Sequence, residues 1–374
     1  MGFSFMDGSN TCDLLPSLKP GNDDIQIFIE GDELFDAMIR AINNAQHQVL
    51  METYIFADDE VGQLFVKALS EKAKSGVQVY LLVDALGSLF QFYRSIAAEL
   101  NSAGVHVQHF QPWNWRKPLH YNRRDHRKLL VIDEEQAFLG GFNIHRQSSL
   151  RYFGIKRWRD THVSFNGQLA KKATAMFNAF WDGERYQDFN TTATTTELIT
   201  NHNRRCRHHL ACIYNDLIES AEQTIYLTTP YFIPNHRIQN ALILAAERGV
   251  DVSLLVPFNS DVRLARWASN AVYARLLDSG IKIFEYFPRM LHAKIIVVDQ
   301  QYAMLGTANL DYRSLLQNYE LNLISRDLEF CRQLHLQFKH DLDESKLVSN
   351  QHWKKRRWFS RLTEYLGWSI RHWL

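Results

Sequence analysis

Short apolar runs rich in β-branched residues alternate along this chain with amphipathic stretches that close on glycine. ALSEKAKSG (68–76) leads into VQVYLLV (77–83), and ALILAAERG (241–249) leads into VDVSLLV (250–256). Apolar positions three and four apart predict helices, and the compact apolar runs after each glycine predict buried strands. The order strand, helix, strand, helix, strand, hairpin is that of an α/β fold with mostly parallel sheets.

The pattern occurs twice. QVLMETYIF (48–56) corresponds to TIYLTTPYF (224–232), LNSAGVHV (100–107) to LLDSGIKI (276–283), and DHRKLLVIDEEQAFLGGFN (125–143) to LHAKIIVVDQQYAMLGTAN (291–309). Order is kept in both halves, which is the signature of an internal duplication. The expected architecture is therefore two tandem α/β domains related by a pseudo-twofold, residues 1–195 and 196–348, with a site at their junction and a tail at 349–374. The polar, threonine-rich stretch near 190–203 is the expected linker.

The last of these correspondences carries the chemistry. Both halves hold H-x-K-x4-D-x6-G-x2-N: His126, Lys128, Asp133, Gly140 and Asn143, then His292, Lys294, Asp299, Gly306 and Asn309. Residues i and i+2 of a strand share a face, so each histidine projects with its lysine, and the segment after the hairpin returns an asparagine to the same end. Imidazole, ammonium and amide on one rim make a pocket for a phosphate, and the repeat supplies two sets. A lysine beside each histidine would repel a cation, so no metal is expected. The odd spacing of Asp133 and Asp299 from their histidines turns them off that face and favours a structural role.

Composition adds a distribution rather than a total. The 374 residues carry a formal charge of +1, 46 % hydrophobic residues and four cysteines without a CxxC pair. This is the profile of a folded chain in a reducing compartment, not of a nucleic-acid coat. Residues 1–62 hold twelve acids and two bases, whereas 113–128 and 350–374 each hold six bases and one acid. The second basic segment includes Trp353, Lys354, Lys355, Arg356, Arg357, Trp358, Trp368 and Trp373. As a helix it would place Trp358, Leu362, Tyr365, Leu366 and Ser369 on one stripe, suited to an anionic phospholipid surface. The alternative is a helix docked on its own domain. No apolar run reaches the ~18 residues of a membrane span, and the first residues lack a signal-peptide pattern.

The paired motifs resemble the HKD motifs of the phospholipase D superfamily over residues 25 to 345, in motif regions 120–147 and 286–313. WRDTHV (158–163), TTPYFIP (228–234) and GTANLDYRSLLQNYELN (306–322) are further similar to bacterial cardiolipin synthases of the short type. The resemblance implies transfer of a phosphatidyl group between phosphatidylglycerol molecules through a phosphohistidine, without cofactor, at the bacterial inner membrane and from its cytoplasmic face. It makes His126 the nucleophile and His292 the acid/base, and counts Asp133 and Asp299 within the catalytic motif. Lys128, Lys294, Asn143, Asn309 and Thr307 would bind phosphate, and Asp160 and Glu320 would orient the histidines. Gly141 stands where many members have serine. Hydrolysis by a phospholipase D or nuclease could use the same residues, and an inactive scaffold would show a broken motif, whereas both copies are intact.

Overall fold

A computed structural model describes residues 16, 18–21, 23–89, 91–92, 94–113, 115–116, 122–185, 194–201, 208–356 and 358–373. Two sheets organise it. The first runs in the order β1 (Ile25–Phe28), β7 (His162–Asn166), β6 (Gln136–Gly140), β5 (Leu129–Ile132), β2 (Gln48–Thr53), β3 (Gln78–Asp84), β4 (His106–Phe110). The second repeats this order as β8 (Thr196–Thr200), β14 (Leu321–Ser325), β13 (Tyr302–Gly306), β12 (Ile295–Val298), β9 (Thr224–Thr228), β10 (Asp251–Pro257), β11 (Lys282–Tyr286), and adds β15 (Ser345–Leu347) at its edge.

The expectation of mostly parallel sheets needs correction. Pairing is parallel only within β2–β3–β4 and within β9–β10–β11; every other ladder is antiparallel. The reason is the hairpin that follows each H-x-K strand, which reverses the chain and adds antiparallel neighbours. Residues 196–200, within the expected linker, are the edge strand β8, where TELIT pairs with β14.

Helices fill both faces: α1 (Gly31–Asn44), α2 (Glu60–Lys74) and α3 (Arg94–Ser102), then α4 (Leu150–Phe153) and α5 (Gln168–Trp181) in the first half. The second half holds α6 (His209–Glu219), α7 (His236–Glu247), α8 (Arg263–Asp278), α9 (Tyr312–Leu316) and α10 (Leu328–Asp343). The tail forms α11 (Asn350–Lys354) and α12 (Trp358–Ser369). The strands that carry the motifs are buried on both sides, as their unbroken apolar runs require. Leu129 and Val131 of β5, with Ile295 and Val297 of β12, enter one shared cluster that also holds Phe177 of α5 and Phe338 of α10. Leu130 and Ile132 face the α1–α3 side, and Ile296 and Val298 face the α6–α8 side. That shared cluster fixes one half against the other, each fully buried Leu or Ile contributing about 1.5–3 kcal/mol.

The tail is docked on its own domain. A Cβ placed on Gly367 would fall 2.5 Å from the Ala268 backbone nitrogen, so α12 approaches α8 more closely than a larger residue allows. Trp353 packs against Tyr273 at 5.1 Å between rings, Trp368 lies on the same core, and Arg356 pairs through two 2.7 Å bonds with Glu364. Trp353, Trp368 and Arg356 are thus turned inward and are withdrawn from the membrane-facing set, because the small residues of α8 give the tail an apolar groove of its own. Lys354 pairs with Asp278, and Lys355 is exposed. Arg357 and the side chains of Trp358 and Trp373 lie outside the described residues. Tyr365 and Leu366, both on the expected stripe, stay outward at 73 % and 51 % exposure. Among the described residues no helix is long and apolar enough to cross a membrane.

Candidate active site

Each H-x-K strand begins at a backbone bridge to the opposite half. The His126 amide donates to the Tyr319 carbonyl at 2.9 Å, and the Tyr319 amide to the Arg124 carbonyl at 2.8 Å. In mirror fashion the His292 amide donates to the Arg159 carbonyl at 2.7 Å, and the Arg159 amide to the Met290 carbonyl at 2.8 Å. The residue after each bridge is an acid. Glu320 of the second half meets Nδ1 of His126 at 2.9 Å, and Asp160 of the first half meets Nδ1 of His292 at 2.6 Å. The two halves therefore exchange their orienting carboxylates, which fixes each ring through Nδ1, while Nε2 of His292 lies 3.2 Å from Lys294 Nζ.

Buried ion pairs behind the site hold these segments. Arg124 forks onto Asp84 at the end of β3, Arg127 reaches Glu52 of β2 at 2.7 Å, and Arg159 forks onto Asp341 of α10. Arg124 and Arg127 come from the basic stretch at 113–128, so part of that charge is neutralised inside the protein, while Trp113 and Trp115 remain exposed at 64 % and 73 %. No sequence signal tied Asp84 or Glu52 to the site, since charged residues in strand runs read as surface positions.

The histidines, Asn143, Asn309, Tyr54, Trp158, Tyr231 and Asp261 line one cavity of about 330 Å³. Lys128 donates to the His126 carbonyl at 2.8 Å, and Lys294 sits against the His292 ring and carbonyl. Burial drives the Lys128 ammonium down to about 7, partly offset by Glu320 and accentuated by Lys294; it drives Lys294 down to about 8, partly offset by Asp160. Burial is the largest cause of both shifts, so an anion beside either ammonium would favour its charged form. Trp158 lies 5.1 Å from the His292 ring, and Tyr54 stands edge-on to His126 at 4.8 Å.

The two histidines are electrostatically unequal. Burial, Lys128 and Lys294 hold His126 well below its ordinary value. Burial and Lys294 lower His292 as well; Asp160 offsets part of this, and His292 stays below its ordinary value. Among the acids, burial raises Glu320 to about 7 despite Lys128 and Thr307, whereas the burial penalty on Asp160 is outweighed by Lys294 and His292, which hold it below its ordinary value. His292 thus faces a firmly ionised partner, and His126 a carboxylate readily neutralised at physiological pH.

Two sequence assignments change. Thr307 is fully buried; its hydroxyl donates to Glu320 at 2.6 Å and accepts from the Leu321 amide at 3.0 Å, so it holds the orienting acid and does not bind phosphate. Its counterpart Gly141 leaves no room for a side chain, since a Cβ there would lie 2.0 Å from Asp160. Glycine with the shorter acid in one half therefore matches threonine with the longer acid in the other. Asp133 and Asp299, catalytic only by membership of the motif, lie at the far end of their strands in hairpin turns with φ of 52°. Asp133 accepts from the amides of Gln46, His47 and Gln48, each at 2.8 Å, and Asp299 from Glu222, Gln223 and Thr224. The backbone bonds of Asp133 outweigh its desolvation and hold its carboxyl below the ordinary value. Asp133→Ala is expected to lower stability by about 1–3 kcal/mol while leaving the rate per folded molecule unchanged. Thermal denaturation and active-site-normalised rates check this; a lost rate in fully folded protein would return the aspartate to the chemistry.

Among the described residues no group of three or more His, Cys, Asp or Glu is placed to hold a metal ion. Comparison with known proteins matches residues 38–181 and 214–342 to the family model described as cardiolipin synthase, PLD-like domain. The chain is 37 % identical to cardiolipin synthase 2 of Bacillus cereus over 358 residues, covering 89 % of this chain and 67 % of that one. It is 34 % identical to a cardiolipin synthase of Clostridium perfringens, covering 91 % and 75 %. Its fold is similar to that of a phosphatidylserine synthase from Haemophilus influenzae, with a TM-score of 0.73 at 14 % identity, over 96 % of this chain and 97 % of that one.

Proposed function

This chain belongs to the phospholipase D-like family of cardiolipin synthases, and on that footing we propose that it joins two phosphatidylglycerol molecules into cardiolipin with release of glycerol. The observation that carries the reading is the pair of histidines in one cavity, each oriented through Nδ1 by an acid from the opposite half. Nε2 of His126 attacks phosphorus, the bond to the glycerol oxygen breaks, and His292 gives that oxygen its proton. A second phosphatidylglycerol then surrenders the proton of its primary hydroxyl to His292; its oxygen bonds to phosphorus and the phosphorus–nitrogen bond breaks, restoring His126.

The electrostatics support this order of roles. Both histidines lie below their ordinary value, His126 well below it, which suits an unprotonated nucleophile; Asp160 offsets part of the lowering at His292, which suits the group that must carry a proton. Lys128, Lys294, Asn143 and Asn309 take the nonbridging oxygens, whose charge restores the two lysines to full protonation. Incubation with phosphatidylglycerol in detergent micelles, followed by mass spectrometry of the lipids, tests the reading: cardiolipin and glycerol are expected in equal amounts, and phosphatidic acid alone would assign hydrolysis instead.

The protein works at the surface of a phospholipid membrane, with outward Tyr365 and Leu366 of α12 entering the interface and exposed Lys355 and Arg361 beside anionic headgroups. Replacing both Tyr365 and Leu366 by serine is expected to weaken co-sedimentation with phosphatidylglycerol vesicles about tenfold or more without lowering the melting temperature. Unchanged sedimentation would assign α12 to the fold alone.

A further inference from the structure

The cavity wall supplied by the second half carries chemistry that phosphate binding and proton transfer leave unused. Asp261, on the segment between β10 and α8, accepts the Tyr231 hydroxyl through both carboxylate oxygens, at 2.7 and 2.8 Å. Tyr231 follows β9, so this contact joins the segments that leave two neighbouring parallel strands, and both residues line the cavity that holds His126 and His292. A carboxylate is repelled by phosphoryl oxygens, so Asp261 is no phosphate ligand. Nor does it touch a ring nitrogen of either histidine, whose Nδ1 atoms are taken by Glu320 and Asp160.

Its neighbours narrow what it meets. Asn309, 5 % exposed and on the same wall, has an Oδ1 without a hydrogen-bond partner. Arg313 also lines the cavity, its guanidinium held by Asn122 at 2.8 and 3.2 Å. Acceptors on Asp261 and Asn309 thus share the wall with the Arg313 guanidinium donors, while the Tyr231 hydroxyl, its proton given to Asp261, offers its lone pairs. A hydroxyl both donates and accepts and can satisfy such a wall. An ammonium would find Asp261 but face the like charge of Arg313, and the second carboxyl on the wall, Asp311, is raised to about 6 by burial and is a weaker counter-charge; an alkyl chain would leave these groups unpaired.

We propose that Asp261, with Tyr231 as its positioning residue, forms a polyol subsite that reads the free hydroxyls of a glycerol headgroup, on the departing glycerol and on the incoming acceptor. The inference rests on the phosphatidyl-transfer reading above and adds the place where the headgroup is recognised.

Soluble alcohols separate the two. The full chain is given phosphatidylglycerol in detergent micelles with isotopically labelled glycerol, 1-propanol and ethanolamine in equal amounts, and the phosphatidyl products are counted by mass spectrometry. Each acceptor's oxygen bonds to phosphorus, its proton passes to His292, and the bond to His126 breaks, so only the subsite distinguishes them. Asp261→Ala is expected to lower the glycerol-to-propanol product ratio about tenfold, and Tyr231→Phe to lower it about threefold. The ratio is internal to each sample, so a smaller folded fraction does not move it, and Asp261→Asn, which keeps the shape, should fall between wild type and alanine. An unchanged ratio in all three variants overturns the subsite. A loss confined to ethanolamine also overturns it, by making Asp261 an ammonium site. Wild-type protein that forms neither cardiolipin nor an alcohol product overturns the transfer reading and the subsite with it, whereas cardiolipin without any transfer to glycerol overturns the subsite alone.

Discussion

His126→Ala is expected to reduce cardiolipin formation by at least about 10⁴-fold, because the covalent route loses its nucleophile. The variant should fold. Its loss leaves Glu320 without a ring to orient, but burial already lifts that carboxyl to about 7, so it takes up a proton in place of standing as a bare charge. The Thr307 hydroxyl still donates to it. Lipid product analysis beside a far-ultraviolet dichroism spectrum checks both statements. Residual activity above about 1 % in folded protein would move the nucleophile elsewhere.

The second large effect follows from the exchange of acids between halves. Asp160→Asn is expected to cost about 10²–10⁴ in turnover, since an amide cannot favour the charged form of His292 and can fix the wrong tautomer. The pattern of loss is the sharper test. Asp160 lies in the half that contains His126, yet it contacts His292, so its variant should behave like His292→Ala, with the acid/base steps slowed. Glu320→Gln should behave like His126→Ala, with phosphatidyl-enzyme formation itself impaired. A p-nitrophenyl phosphodiester, whose leaving group needs no proton, separates them: it should recover the first step in Asp160→Asn and not in Glu320→Gln. Recovery in the opposite variant would mean that each acid serves its own half.

The duplication and the paired motifs were legible because they are local. Leu129 to Ile132 and Ile295 to Val298 announce two-sided burial by their unbroken apolar run, and the i, i+2 spacing places each lysine beside its histidine. The proportion of parallel pairing was not legible, because apolar runs report burial and not strand direction. The exchange of acids was hidden for a different reason. Glu320 and His126 are 194 residues apart, and it is contacts between the halves, the bridges at Tyr319 and Arg159 among them, that bring such segments together. The same holds for Thr307, whose hydroxyl could serve phosphate or carboxylate until the position of Glu320 is known. The tail shows the limit of periodicity: a stripe of tryptophan and leucine fits a bilayer and a groove on α8 equally, and Gly367, the residue that decides, carries no periodic signal.

Identification of the covalent intermediate tests the central claim most directly. The p-nitrophenyl ester of a short-chain phosphatidic acid, given to His292→Ala, should form the phosphatidyl-enzyme without a general acid and leave it stranded without a general base. Alkaline quenching, proteolysis and mass spectrometry should then place one phosphatidyl group on the peptide that contains His126, and none on that peptide when alanine replaces His126. Modification on His292 of the wild-type protein, or turnover with no modified histidine at all, would contradict the account.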